Sequence, residues 1–97
     1  MVQTIKKTPT IKLDKERTIK YNLNSLIGLE EDLGITVDKI GEVPFSMKNI
    51  RSFLFYGLIH EDKEITQEQI GELVSLENLP EIQAKIVDAF NQANPKN

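Results

Sequence analysis

The segment 46–60 restricts the fold more than any other part of the chain, because it is apolar on almost every side of a helix. Part of it follows the i, i+3, i+4, i+7, i+8 spacing of one helix face. A helix that is apolar all round must be covered all round, so we expect the central helix of the fold or a helix that offers one side to another chain. Ser46 is suited to cap its first turn. The face comprises Ile50, Phe53, Leu54, Gly57 and Leu58, and Met47, Phe55, Tyr56 and Ile59 widen it.

Two short runs near the N-terminus alternate apolar and polar residues, which is typical of strands. These runs are 10–13 and 18–23, and the polar stretch 14–17 between them predicts a four-residue hairpin turn. A lone hairpin is marginally stable in water, so its apolar face must pack on the rest of the chain. That face is predicted to hold Ile11 and Leu13 from the first run and Ile19, Tyr21 and Leu23 from the second.

A helix is predicted directly after the hairpin. Asn22 or Asn24 is expected to cap it, and Gly34 stands where a left-handed residue would end it. The acidic triplet 30–32 falls in its last turn, where the helix dipole disfavours negative charge. A solvated acidic face is expected there, with contact to a basic partner as the alternative. The segment 35–45 predicts a connector, and the apolar face of the helix is predicted from Leu23, Leu26, Ile27 and Leu33.

Two more helices are predicted in the second half of the chain. Thr66 and Gln69 have the spacing of a capping box, and Ile65 and Ile70 would form the hydrophobic staple around it. The last helix is expected to start near Asn78. It would carry Pro80 and Glu81 in its first turn, and its apolar side would comprise Ile82, Ile86, Ala89, Phe90 and Ala93, broadened by Val87.

The pattern as a whole predicts an α+β fold that is mainly helical, with an N-terminal β-hairpin followed by about four α-helices. We expect a flexible leader over 1–9, a single α+β domain over 10–93 and a flexible tail over 94–97. Gly57 and Gly71 fall inside predicted helices, where each costs about 1 kcal/mol relative to alanine, so close helix packing is the expected reason for both.

Composition excludes several classes of function. The 97 residues contain no cysteine and one histidine, which excludes disulfides, thiolate sites and two-histidine metal sites within one chain. No apolar run approaches the roughly 18–20 residues of a membrane helix, and no secretory signal is recognisable. Residues 1–20 carry a net charge of +4 and residues 21–97 a net charge of −7. We therefore expect a cytoplasmic protein with no membrane partner and with nucleic acid unfavoured as the main partner.

The titratable residues do not form a recognisable catalytic pattern. His60 stands beside Glu61 and Asp62, but neighbouring residues on a helix point in different directions, so we expect a helix C-terminal cap. The carboxylate pair Glu68 and Glu72 lies at i, i+4 and is expected on a solvated face, whereas acid–base catalysis requires a desolvated carboxylate. No glycine-rich phosphate loop is present. We therefore expect no enzyme activity, no catalytic residue, no metal and no cofactor.

What remains is the apolar excess of the segment 46–60. A small domain with surplus helical apolar surface and no catalytic pattern is typically a binding or assembly module, and such surface is often covered by a second copy. A homo-oligomer is therefore expected. The candidate partner-binding residues are Met47, Phe53, Phe55, Tyr56 and Ile59.

Two stretches of the chain resemble a known family. They are Tyr21–Glu31 (YNLNSLIGLEE) and Ile50–Leu73 (IRSFLFYGLIHEDKEITQEQIGEL). In the first stretch, the end of a predicted strand leads into a helix that ends in acidic residues. In the second, an apolar helix that carries one arginine leads into a helix that begins with a capping box. With the hairpin, the similarity covers most of residues 10–90. The sequence resembles the tail assembly chaperones of long-tailed bacteriophages and prophages of low-GC Gram-positive bacteria.

The resemblance implies a specific function. Such chaperones are made in the infected cell, are absent from the mature virion, and bind the tape measure protein, a long helical chain with exposed apolar stretches. They keep it soluble until the tail tube protein, a further partner, polymerises around it. The family often makes a longer frameshifted form of the same protein, which would also be a partner. Pro95-Lys96-Asn97 can be encoded with the slippery heptamer A-AAA-AAY, so we hypothesise a frameshift there, which a codon such as AAG for Lys96 would exclude.

Two other classes of function stay open at this point. One is a small structural or connector protein that remains in the virion. The other is a small regulator that binds nucleic acid through the basic residues of the N-terminal hairpin.

Overall fold

The computed structural model describes residues 10–93, so the predicted leader and tail lie outside the described residues. Its elements confirm the mainly helical α+β class: a two-stranded antiparallel hairpin precedes a run of helices. The predicted connector contains a 3₁₀ helix, Val37–Glu42. The remaining elements are β1 (Thr10–Lys12), β2 (Glu16–Thr18), α1 (Leu23–Leu33), α2 (Met47–Leu58), α3 (Gln67–Leu73) and α4 (Leu79–Ala93).

The second strand lies earlier in the chain than predicted. Ile11 pairs with Arg17 and Lys12 with Glu16, so the loop is 13–15 and the predicted turn 14–17 is wrong. The correction has a physical reason. Arg17, assigned to the turn by its charge, is buried opposite Ile11 because Asp14 binds its guanidinium at two points, at 2.8 and 2.9 Å. The salt bridge lets a charged residue occupy an inward position of the strand.

The segment after β2 stays extended and packs on the end of α2 instead of pairing with β1. The backbone N–H of Lys20 donates to the carbonyl of Gly57 at 2.9 Å, and the Thr18 carbonyl accepts from Nε2 of His60 at 2.8 Å. Ile19 and Tyr21 are buried as predicted. His60 therefore bonds to the hairpin and not to the last carbonyls of its own helix, which corrects the capping role expected for it.

α1 begins and ends where its capping residues indicate. The side chain of Asn22 accepts from the N–H of Ser25 at 2.9 Å, and Gly34 adopts a left-handed conformation with φ of 74°. The predicted apolar face is wrong for two residues. Leu23 is 72% exposed and Ile27 is 44% exposed, because α1 turns the side that holds Ser25 and Leu29 towards α2.

The acidic end of α1 is only partly a solvated face. Asp32 accepts from Oγ of Ser52 at 2.8 Å and from Nε2 of Gln67 at 3.1 Å, so it joins α1 to α2 and α3. The Glu30 carboxylate accepts from the backbone N–H of Val37 at 2.7 Å and holds the start of the 3₁₀ helix. These bonds, invisible in the sequence, compensate for carboxylates that the helix dipole disfavours.

α2 is the central helix, as its all-round apolar pattern predicts. It contacts α1, α3, α4 and β2, and Ser46 caps its first turn. Gly57 lets the extended segment after β2 pack closely on α2, since an added Cβ would lie 2.7 Å from Cγ2 of Ile19. Gly71 of α3 has no such reason, because an added Cβ would meet only Cδ of Arg51 at 3.7 Å. Every residue of the predicted α2 face is buried: Ile50, Phe53, Leu54, Gly57 and Leu58.

The two C-terminal helices close the core. The capping box of Thr66 and Gln69 is present in both directions, and α4 starts one residue after Asn78. Phe90 of α4 stacks on Tyr21 with ring centroids 4.3 Å apart and meets Phe53 edge to face at 5.5 Å. The segment after β2, α2 and α4 thus share one aromatic cluster. The core-facing residues of α4 are Ile82, Ile86 and Ala89, and Val87 is exposed.

Candidate partner-binding surface

The structure separates the five candidate residues. Phe53 is 2% exposed and belongs to the core, so it presents no surface to a partner. Met47 is 54% exposed, but it lies eight residues, or roughly 12 Å of helix, before Phe55. Phe55, Tyr56 and Ile59 are half-buried at the C-terminal end of α2, and these three lie close in the chain. The candidate surface therefore centres on the end of α2.

Phe55 and Tyr56 form an aromatic pair. Their ring centroids are 4.8 Å apart at an interplanar angle of 86°, the edge-to-face arrangement that aromatic quadrupoles favour. Tyr56 lies against α1 at Gly28, where an added Cβ would be 2.5 Å from Cε1 of the ring. The absence of a side chain at position 28 therefore lets the ring of Tyr56 pack against α1, while Tyr56 and Phe55 both stay partly exposed.

α1 extends this apolar surface. Leu23 and Ile27 are four residues apart, so they are neighbours on the outward side of the helix. Ile27 adjoins Gly28, the residue that Tyr56 covers. We call Leu23, Ile27, Phe55 and Tyr56 together the α1–α2 surface. It comprises exposed aliphatic side chains of α1 and half-buried aromatic rings of α2, a composition typical of binding surfaces.

The electrostatic surroundings of the α1–α2 surface are acidic. Partial burial raises the pKa of Tyr56, and the negative charges of Asp32 and Glu31 raise it further. Asp32 is already held by Ser52 and Gln67. Glu31 is exposed and, among residues 10–93, makes no hydrogen bond or salt bridge. Its carboxylate is available at the rim of the surface.

A cavity of about 230 Å³ lies elsewhere, between the hairpin loop and α3. Arg17 reaches it, bound to Asp14 and 3.9 Å from Asp62 at Nη1. The guanidinium holds the pKa of Asp14 at about 2. This arrangement ties the hairpin loop to the α2–α3 connection. In the described part of the chain, no three metal-binding side chains come together. The cavity is lined by Asp14, Arg17, Asp62, Ile65, Gln69, Glu72 and Leu73.

Sequence reasoning missed Leu23 and Ile27 as surface residues. Their helical spacing relative to Leu26 and Leu33 predicts a buried stripe, and only the contact between α1 and α2 shows which side of the helix is covered. The sequence does contain one signal that the side of α1 opposite Leu23 is the covered one. Ser25 and Gly28 lie opposite Leu23 on the helix, and small residues mark the sides on which helices approach closely.

Comparison with known proteins gives no relative: no protein-family model matches the chain, and neither a curated protein nor a solved structure matches it significantly. Within residues 10–93, no helix combines the length and hydropathy required to cross a bilayer.

Proposed function

We propose that the protein is a non-enzymatic tail assembly chaperone of a long-tailed bacteriophage or prophage. It binds the tape measure protein and keeps it soluble during tail assembly, in the cytoplasm of the bacterial host, and it does not stay in the mature virion. The observation that carries the proposal is the α1–α2 surface, which comprises the half-buried aromatic pair of Phe55 and Tyr56 on α2 and the exposed Leu23 and Ile27 on α1. The sequence resemblance described above supplies the identity of the partner.

The physical requirements of such a chaperone fit this surface. A long helical partner exposes apolar stripes, and covering them lowers the free energy by about 25 cal/mol for each Å² of apolar surface removed from water. A surface formed by two adjacent helices is suited to an amphipathic helix. Many copies bound weakly along one chain would hold it by avidity and could still be displaced by the polymerising tube.

The experiment is co-expression with the long helical tape measure protein of the same phage or prophage, followed by a pull-down. The expected result is that the long protein co-purifies with this chain and is soluble only in its presence. If the long protein is soluble alone and no complex forms, the chaperone function is wrong. Mass spectrometry of purified virions separates this function from that of a structural virion protein, because a chaperone is absent from the particle and a connector is present.

A further inference from the structure

We infer that the segment bound by the α1–α2 surface is a basic amphipathic helix, with lysine or arginine placed beside its apolar stripe to pair with Glu31. This inference rests on the proposed function and specifies the chemistry of the partner at that site.

The form of the occupant follows from the backbone of the surface. α1 and α2 run antiparallel, because Gly28 meets Tyr56 and Asp32 meets Ser52. The surface is formed by two helices and not by the edge of a sheet, so it presents no row of N–H and C=O groups with which an extended peptide could form a ladder. A helix brings its own backbone bonds and presents side chains at the i, i+4 spacing that Leu23 and Ile27 also have.

The charge of the occupant follows from the acidic end of α1. Glu30, Glu31 and Asp32 lie in its last turns, which contain no basic residue, and the helix C-terminus adds its own partial negative charge. Two of the three carboxylates are bound internally, Glu30 by the Val37 N–H and Asp32 by Ser52 and Gln67. Of the three carboxylates, Glu31 is the one that has no internal partner among residues 10–93.

Among residues 10–93, neither basic residue of α2 forms a salt bridge with Glu31. Lys48 lies one helical turn before Ser52, on the stripe of α2 that also holds Tyr56, and it is exposed. Arg51 packs beside Gly71 of α3, on another side of α2. A cation supplied by the partner would therefore meet an exposed carboxylate at the edge of an apolar surface, where a charge pair increases specificity and association rate more than affinity.

The test uses the full chain and two designed amphipathic peptides of about 18 residues. Both carry the same leucine stripe, and the positions beside it are lysine in one peptide and glutamate in the other. Binding is measured by fluorescence anisotropy at low and high salt. Wild-type protein should bind the lysine peptide about two- to fivefold more tightly, and the difference should shrink at high salt, as for a rim charge pair.

The decisive variant is Glu31→Lys, with Glu77→Lys as its control. Both residues are exposed, both substitutions change the net charge equally, and Glu77 lies in the connection between α3 and α4. Glu31→Lys should abolish or reverse the preference for the lysine peptide, and Glu77→Lys should keep it. The inference is overturned if the two peptides bind equally, if neither binds, or if both variants shift the preference alike. Solubilisation of the tape measure protein on co-expression would still support the chaperone function in those cases, so the two failures are distinguishable.

Discussion

The ring of Tyr56 covers the backbone of Gly28 so closely that a methyl group at position 28 would lie 2.5 Å from Cε1 and 3.3 Å from Cζ. This contact fixes where the aromatic pair of α2 lies relative to α1. Tyr56 in turn meets Phe55 edge to face. The shape of the α1–α2 surface therefore depends on a residue that contributes no side chain to it.

Gly28→Ala should displace the Tyr56 ring without unfolding the protein. Tyr56 is half-buried, so its ring can swing outwards, and the gain of about 1 kcal/mol in helix propensity offsets the lost packing. We expect the free energy of unfolding to change by less than about 1 kcal/mol and partner binding to weaken by a similar amount, roughly fivefold. Urea titration measures the free energy of unfolding, and a binding titration with the pull-down partner gives the Kd. Unchanged binding would show that Tyr56 does not need its position against α1.

Gly57→Ala should destabilise the fold, and Gly71→Ala should stabilise it. At position 57 the new Cβ would lie 2.7 Å from Cγ2 of Ile19 and 3.1 Å from Oη of Tyr21, both in the core, which we expect to cost about 1–2 kcal/mol net. At position 71 the new Cβ meets only Arg51 at 3.7 Å, so alanine's helix propensity should add about 0.5–1 kcal/mol. Thermal unfolding of both variants checks the pair, and a shift of the same sign in both would contradict this packing.

Tyr21 should make the folded protein sensitive to alkaline pH. Burial raises the pKa of Tyr21 well above its ordinary value of 10, so the folded chain retains a proton that the unfolded chain releases. The stability that depends on the neutral phenol is full below about pH 10 and falls above it, by up to about 1.4 kcal/mol per pH unit. Tyr21→Phe should remove this fall.

Tyr21→Phe should also lower the free energy of unfolding by about 1 kcal/mol at neutral pH. It removes the 2.6 Å hydrogen bond that the Tyr21 hydroxyl donates to the Phe53 carbonyl. Chemical unfolding between pH 8 and about 11.5 measures both effects. Tyr56→Phe is the matched control because Tyr56 is only half-buried, and its alkaline decline should stay close to that of wild type. An alkaline decline as steep in Tyr21→Phe as in wild type would show that other groups cause it.

Asp14 should contribute to stability against acid. Its hydrogen bonds with Arg17 lower the pKa of Asp14 to about 2, so the contribution is present above its ordinary pKa near 4 and is lost as the pH falls towards 2. Asp14→Asn should be less stable than wild type at neutral pH and should show a shallower decline between pH 4 and 2. The effect should be smaller than that of Gly57→Ala because Asp14 is exposed. Parallel acid declines for the two proteins would contradict this role.

The sequence predicts those features that depend on neighbouring residues. The cap at Asn22, the left-handed Gly34 and the capping box of Thr66 and Gln69 all involve groups within a few residues of one another. The all-round apolar pattern of 46–60 likewise predicts a central helix, because each side of it needs a cover. These local rules establish the class of the fold and most helix bounds.

The features that the sequence does not predict depend on residues that are far apart in the chain. Arg17 is held by Asp14, three residues away, but the residues that cover it include Asp62, which lies 3.9 Å from Nη1 and is remote in the chain. Asp32 is bound by side chains of α2 and α3. The exposure of Leu23 depends on which side of α1 meets α2, so the aliphatic half of the α1–α2 surface appears only once the helices are packed.

The most direct measurement is the soluble fraction of the tape measure protein when it is co-expressed with variants of this chain. Phe55→Asp combined with Tyr56→Asp places charge in the centre of the α1–α2 surface, and Leu76→Asp places it at a residue that is 78% exposed elsewhere. We expect wild type and Leu76→Asp to keep the tape measure protein soluble and the double variant, folded by circular dichroism, to leave it in the pellet. Equal solubilisation by a folded double variant would show that the partner binds elsewhere on this protein.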